Sequence, residues 1–365
     1  MNIATAKYTT DELLKILRSN SRNVYYEYTI ANTQGETIGK IDIEDGVISF
    51  DSSLEVMRTF SGTCMRTDLL SINSLDYKLV PWMCLRIGSD VVKWALGKFI
   101  IEPSVYDNMN SEEVHITGFD LGKIALDDKV DSRVYVPSGS VYTSFALQLA
   151  GTDYTDIELD ASPKARNSEA EWDIGESKLK IINDLLKAIS YNSLYFDSYG
   201  TGHITEYVMP ENQSIERTYK SGSESIIVDG ISKTSNKFEI PNKFIRYVEN
   251  ADSDYMISTY TNNDPASPYS VINRGRTIVD SQKVQDIATQ GDLDALTRIE
   301  AIKAMAVTET IVFSTLNMPG HEFRNCLFID IPEYGISEKY IEVAWEMQLS
   351  PNGKMIHTCE KVVTL

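Results

Sequence analysis

Apolar positions along the chain alternate between helical and strand spacing. Near the start, Thr9-Thr10-Asp11-Glu12 has the form of a capping box, in which the Thr9 hydroxyl and the Glu12 carboxylate satisfy free amides at a helix end. Leu13, Leu14, Ile16 and Leu17 follow as an apolar stripe, and Ser19-Asn20 ends it, so a short helix is predicted. From Val24 to about His115 the texture is that of strands. VYYEYTI (24–30), the polar turn Asn32-Thr33-Gln34-Gly35, ETIGKIDI and GVISF read as antiparallel hairpins, rich in Tyr, Val and Ile and punctuated by Gly and Asn. Segments 78–87, 91–105 and 112–119 predict three more strands.

The middle of the chain is mixed. SVYTSFALQLA (140–150) and ESKLKIINDLLKAIS (176–190) predict helices. In the second, Leu179, Ile182, Leu186 and Ile189 share a face that Ile181, Leu185 and Ala188 broaden, which is core packing. SLYFD (193–197), the turn 198–202 and HITEYVM predict a hairpin on that helix. Strand texture returns with ESIIVDG, KFIRYVE (243–249) and YMISTYT (255–261), followed by the loop NNDPASPYSVINRG (262–275). Leu293, Leu296, Ile299, Ile302 and Ala306 give helical spacing over about 281–309. The chain closes on IVFSTL, CLFIDI, KYIEVAWEMQL and MIHTCEKVVTL. The expected class is mainly β with an α+β insert. A β module spans 1–125, an α+β middle 126–222, and a second β module 223–365 carries the helical insertion. The similar texture at both ends suggests a weak internal duplication.

Charge narrows the function classes. Among 365 residues, 34 Lys+Arg face 53 Asp+Glu, a formal charge of −19, which argues against nucleic-acid binding through a general basic surface. Cys64, Cys84, Cys326 and Cys359 are scattered without a CxxC pair, too sparse for a disulfide scaffold, so a reduced compartment is expected. The N-terminus lacks the apolar core of a secretory signal. The densest apolar stretch, 91–101, is interrupted by Lys93 and Lys98 and falls short of a membrane span. A soluble protein made in a cytoplasm is the expectation.

Catalytic signatures are missing: no GxxxxGK[ST] loop, no GxGxxG after a strand, no HExxH and no GxSxG. Gly200-Thr201-Gly202 sits between two strands and reads as a hairpin turn rather than a phosphate loop. Of four histidines, His115 alternates with apolar Val114 and Ile116 and reads as a surface or hydrogen-bonded side chain. His357 and Cys359, two apart on one face of a predicted strand, are the best metal candidates, with His321 and Cys326 to complete a Cys2His2 set. Their spacing matches no familiar zinc module, and Cys326 opens an apolar strand, so no metal is assigned. DYTDIELD (153–160) clusters four carboxylates without the DxDxDG calcium pattern and reads as a solvated acidic loop. No catalytic, cofactor-binding or metal residue is therefore assigned.

Several ordered blocks do carry a resemblance. WDIGESKLKIINDLLKAISYNSLYFDSYGTGHITEY (172–207) resembles the central segment of tail hub proteins of tailed bacteriophages. WALGKFIIEPSV (94–105) is similar to the family's Pro-Leu-Gly-x-Phe strand, with Ala95 where the proline would be, and VHITGFDLGKIALDDKV (114–130) to the block closing the first module. IPNKFIRYVE (240–249), YTNNDPASPYSVINRGRTIV (260–279) and the closing strands match in order, so the resemblance runs from about residue 35 to the end.

The resemblance implies structural work in a virion tail tip or baseplate. Similar hubs form a homotrimeric ring under the tail tube. Each subunit contributes two related antiparallel β-barrel-like modules around the middle domain, so three chains present a pseudo-sixfold face to a sixfold tube. The partners implied are the tail tube and distal tail or baseplate proteins, a spike, fibre or lysin below, and genome DNA that passes without specific binding. The acidic charge suits a wall that does not hold phosphates, and the loops near 107–113 and 153–160 are candidates to face the lumen. The alternatives from other classes are a tail-tip hydrolase of peptidoglycan or polysaccharide, and a carbohydrate-binding tail-tip module. Such activities usually occupy an added domain, and the hub-like blocks, which run to the end, are expected to leave no room for one beyond Leu365, which favours the non-enzymatic reading.

Overall fold

The computed structural model describes residues 3–67, 77–103, 112–151, 156–222, 225–228, 230–235, 238–248, 255–284, 287, 289–306 and 309–362. The capping box forms as expected at α1 (Thr10–Leu17): the Thr9 hydroxyl accepts from the Glu12 amide, and the Glu12 carboxylate accepts from the Thr9 amide at 2.8 Å. Leu13 and Leu17 are buried in the main core.

That core belongs to one sheet of 14 strands drawn from both ends of the chain. The first third supplies Val24–Ala31, Thr37–Ile41, Ile43–Asp51, Arg58–Met65, Lys78–Ile87, Asp90–Ala95, Phe99–Pro103 and Glu113–Phe119. The remainder supplies Arg217–Lys220, Ser232–Ser235, Glu309–Leu316, Cys326–Ile331, Ile336–Gln348 and Lys354–Lys361. All neighbours are antiparallel except Arg217–Lys220 with Cys326–Ile331. The two sets meet where Ile336–Gln348 pairs with Ile43–Asp51, from Ala344 opposite Asp51 to Gln348 opposite Val47. Phe50, Phe60 and Phe99 from one set and Tyr219, Phe313 and Trp345 from the other share a single apolar cluster.

The mainly-β class is therefore as expected, but among the described residues no pairing closes either end into a barrel. Joining the two sets instead satisfies amides and carbonyls that two open edges would leave unused. The strand expected over 91–105 breaks in two at Leu96-Gly97-Lys98. Gly97 has φ +154°, and a Cβ there would meet the Phe99 ring at 2.4 Å.

The middle segment folds around α2 (Gly122–Asp127), α3 (Tyr142–Ala150) and α4 (Lys178–Lys187). Ser177 caps α4 by accepting from the Lys180 amide, and every position of its expected apolar face is buried. The hairpin forms too: Tyr195–Phe196 pairs antiparallel with Gly202–Ile204, which also runs parallel to Ile157–Leu159.

The last third departs from expectation. Lys243–Val248, Met256–Thr261 and Val279–Lys283 leave the main sheet and form their own three-stranded sheet. A short α5 (Val271–Arg274) lies within the 262–275 loop, and α6 (Gln290–Ala306) covers the sheet with Leu293, Leu296, Ala301 and Met305. The helix expected from about 281 starts at Gln290. VDSQK has no apolar stripe and pairs as a strand, whereas the Thr289 hydroxyl accepts from the Asp292 amide and caps the real start. An α/β unit is thus inserted between Ser232–Ser235 and Glu309–Leu316. In the loops expected to face a lumen, 107–111 and 153–155 lie outside the described residues.

Candidate functional site

The structure brings His321 and His357 together, as the sequence suggested, but a carboxylate that it did not suggest joins them. Glu342 receives His321 Nδ1 on Oε2 and His357 Nδ1 on Oε1, each at 2.6 Å, and all three side chains are fully buried. Against His321 Nε2 lie Arg217 Nη1 at 3.1 Å and the Tyr219 hydroxyl at 2.8 Å. His357 Nε2 meets the Thr315 hydroxyl at 2.8 Å, and its ring stacks on Phe313. Arg217 also donates to the Pro319 carbonyl. A buried chain thus runs from the Arg217 cation through His321 to the Glu342 anion and on through His357.

Glu342 faces inward because of a bulge. Register with Lys354–Lys361 shifts between Glu342 and Ala344, so the buried core positions change parity from Tyr340 and Glu342 to Trp345 and Met347. Burial opposes ionisation of Glu342, but the two imidazole groups outweigh it and hold its pKa down at about 2. Burial drives His321 down to about 4, so the ring is neutral at ordinary pH.

Three donor atoms within 4.8 Å invite a metal, yet the hydrogen bonds oppose one. A ligating Nδ1 must present a lone pair, which puts the ring proton on Nε2. Guanidinium nitrogen only donates, so His321 Nε2 must accept from Arg217, and the proton belongs on Nδ1 facing Glu342. A metal there would set N–H against N–H beside a buried cation. Cys326 and Cys359, the other members of the suggested set, are buried free thiols, and burial raises both. The three side chains are fully buried, and their hydrogen bonds join the segments that carry them.

The remaining candidates are ordinary. His115 is exposed on its strand. The amides of Tyr199 and Thr201 both donate to Asp197 Oδ1 at 2.9 Å, so the Gly200–Gly202 turn has those groups already committed. Asp156 accepts from the Thr201 hydroxyl, and Ile157–Leu159 is a strand.

A second buried cation ties three parts of the chain. Arg58, 1% exposed, donates Nη1 to the Leu96 carbonyl at 2.8 Å and Nη2 to Glu322. Glu322 in turn accepts from the Ser198 amide of the middle segment. The Arg58 amide donates to Asp120, whose pKa burial pushes up to about 6.

No family model matches the chain, and no curated protein matches it in sequence. Solved structures do match its fold from end to end. A tail protein from Neisseria meningitidis is 13% identical with a TM-score of 0.66, over 92% of this chain and 97% of that one. A 43 kDa prophage tail protein from Shewanella oneidensis is 11% identical with a TM-score of 0.62, over 91% and 98%. A prophage tail protein from Listeria monocytogenes is 12% identical with a TM-score of 0.56, over 93% and 95%. The fold of this chain is the one that these tail proteins share.

Proposed function

We propose that the chain is a non-enzymatic structural subunit of a phage-type tail tip or baseplate hub, in which three copies form a ring between a sixfold tube and a threefold tip. The observation that carries this reading is that the likeness to tail proteins spans nearly the whole of their chains and of this one. A shared catalytic or binding domain would align only in part. The described interior agrees: its one His–Glu–His grouping is sealed and occupied with joining strands. Among the described residues no helix is long and apolar enough to cross a membrane.

In this reading the segments 1–125, 126–222 and 223–365 are the working units, and the two strand sets either side of the seam are the related modules that turn threefold into pseudo-sixfold. The tube, distal tail or baseplate proteins and a spike, fibre or lysin are its partners. With −19 charges per chain, the ring repels passing DNA weakly over a Debye length of about 8 Å at physiological salt rather than binding its phosphates. Antibody labelling of purified particles tests the location. Label at the distal end of the tail is expected; label along the tube, on the head, or on no particle overturns the reading.

A further inference from the structure

The unit inserted between Ser232–Ser235 and Glu309–Leu316 folds upon itself. Its three strands pair only with one another among the described residues. The backbone amides of Asn242, Asn262, Val271 and Val284 all donate to carbonyls inside it. Its two apolar clusters, one around Leu293 and one around Phe244, share no residue with the main core or with the core of the middle segment. Arg246, 3% exposed, ties strand to helix within the unit by pairing with both Asp280 and Glu300.

Charge reaches across from this unit to the middle segment. Lys164 pairs with Asp292, Lys187 with Glu300 at 3.5 Å, and Glu211 with Arg298 at 3.6 Å. The Lys303 Nζ also lies 5.1 Å from the centroid of the Tyr207 ring. The side chains of Lys164, Lys187 and Arg298 are 42%, 57% and 48% exposed, so water and salt screen each pair. Apolar groups of the two parts meet around open space instead of interlocking. Trp172 and Ala188 of the middle segment and Ile287 and Leu296 of the inserted unit line one recess of about 310 Å³. Tyr191 and Tyr207 of the first and Leu296 and Ile299 of the second line another of about 310 Å³. A close-packed boundary leaves few voids larger than a water molecule.

We propose that the inserted unit is a rigid body latched to the middle segment by these ion pairs, and that weakening them lets it swing away and uncover the apolar walls of both recesses. Two parts that share no apolar core move relative to one another by default. The ties within the unit are buried and the ties across the boundary are solvated, so the unit moves whole rather than unfolding. Ionic strength is then its control, because the screening length falls from about 10 Å at 0.1 M salt to about 3 Å at 1 M. The swing belongs to the chain itself and does not depend on a place in a tail.

The test is pulsed dipolar electron spin resonance on the full chain, spin-labelled at Ile174→Cys in the middle segment and Ile272→Cys in the inserted unit. These positions are 68% and 61% exposed, whereas Cys64, Cys84, Cys326 and Cys359 are buried, so the label goes to the new thiols. One narrow distance is expected at 0.1 M salt and a second, longer population at 1 M. Replacing Lys164, Lys187 and Arg298 together with Gln should raise that population about tenfold at 0.1 M, since each exposed pair holds an equilibrium by roughly 1.5–5-fold. Asp292 keeps the Thr289 hydroxyl in that variant, so the cap of α6 survives. Near-ultraviolet circular dichroism equal to wild type separates swinging from unfolding; if the triple variant unfolds, the wild-type salt comparison decides alone. A distance distribution that 1 M salt leaves unchanged overturns the proposal. So does a folded triple variant that keeps the wild-type distances.

Discussion

Trp345 stands opposite Phe50 where the two ends of the chain join, with ring centroids 5.7 Å apart and planes 15° from parallel. The Arg58 guanidinium lies over both rings, at 5.8 Å from Phe50 and 5.4 Å from Trp345. Cross-strand aromatic pairs stabilise a sheet beyond the area they bury. Here one pair, capped by a buried cation, sits at the seam on which the 14-stranded sheet depends.

Trp345→Ala should therefore lower stability by about 3–5 kcal/mol, the usual cost of emptying a large aromatic site. Trp345→Phe should cost much less, because the indole N–H is buried without a partner and nothing is lost with it. Urea unfolding of both variants measures the difference. Equal costs, or a negligible loss in the alanine variant, would mean that the seam is not packed through this ring.

Removing the carboxylate at the buried cluster leaves two imidazole N–H groups without an acceptor and Arg217 without its counter-charge. Glu342→Leu should cost about 3–5 kcal/mol, the penalty for stranding a buried partner. Glu342→Gln, which keeps an acceptor oxygen, should cost less. The same unfolding assay ranks them, and a leucine variant as stable as wild type would contradict the network.

The cluster also sets a pH dependence with a definite sign. His321 titrates near 4 in the folded chain against an ordinary 6.5, so the unfolded chain takes up the proton first. Its contribution is full above 6.5 and is lost as pH falls from 6.5 to 4. Glu342 extends the loss, its contribution fading as pH falls from 4.5 towards 2. Asp120 opposes both, since its raised pKa favours the folded chain as pH falls from about 6 to 3.8. Replacing His321 with Gln should flatten the fall in stability between about pH 6.5 and 4, relative to wild type. Parallel stability–pH curves for the two proteins would refute the assignment.

Hydrolysis is expected to be absent. Incubated with host cell walls, the purified chain should release neither reducing sugar nor free amines above background. Turnover that vanished on replacing one carboxylate or histidine would contradict the structural reading.

Much of the fold was legible in the sequence because its signals are local. The Thr9–Glu12 box, the α4 stripe and the alternating closing strands are each fixed within a few residues of themselves. Partner choice is not local. Nothing in IEVAWEMQ says that its strand pairs with GVISF from the far end of the chain, so the joining of the two expected barrel-like modules into one shared sheet was not legible. The same strand hid Glu342. Strict alternation puts Ile341, Val343, Trp345 and Met347 on the apolar face and Glu342 outside, and only the bulge turns it inward. The one available signal was a charge set in an apolar strand, beside histidines already singled out. The metal suggestion paired the right histidines with the wrong ligands, because sequence spacing carries no information about the Arg217 donor that fixes the ring proton.

Copy number at the tail tip tests the central claim most directly. Counting this chain against the tube protein in purified tails, with averaged end-on images of the tip, gives both stoichiometry and symmetry. The account predicts three copies against each ring of six tube subunits, arranged threefold with two related modules per chain facing the tube. Six copies in a sixfold ring, or a single copy on the axis, would contradict it.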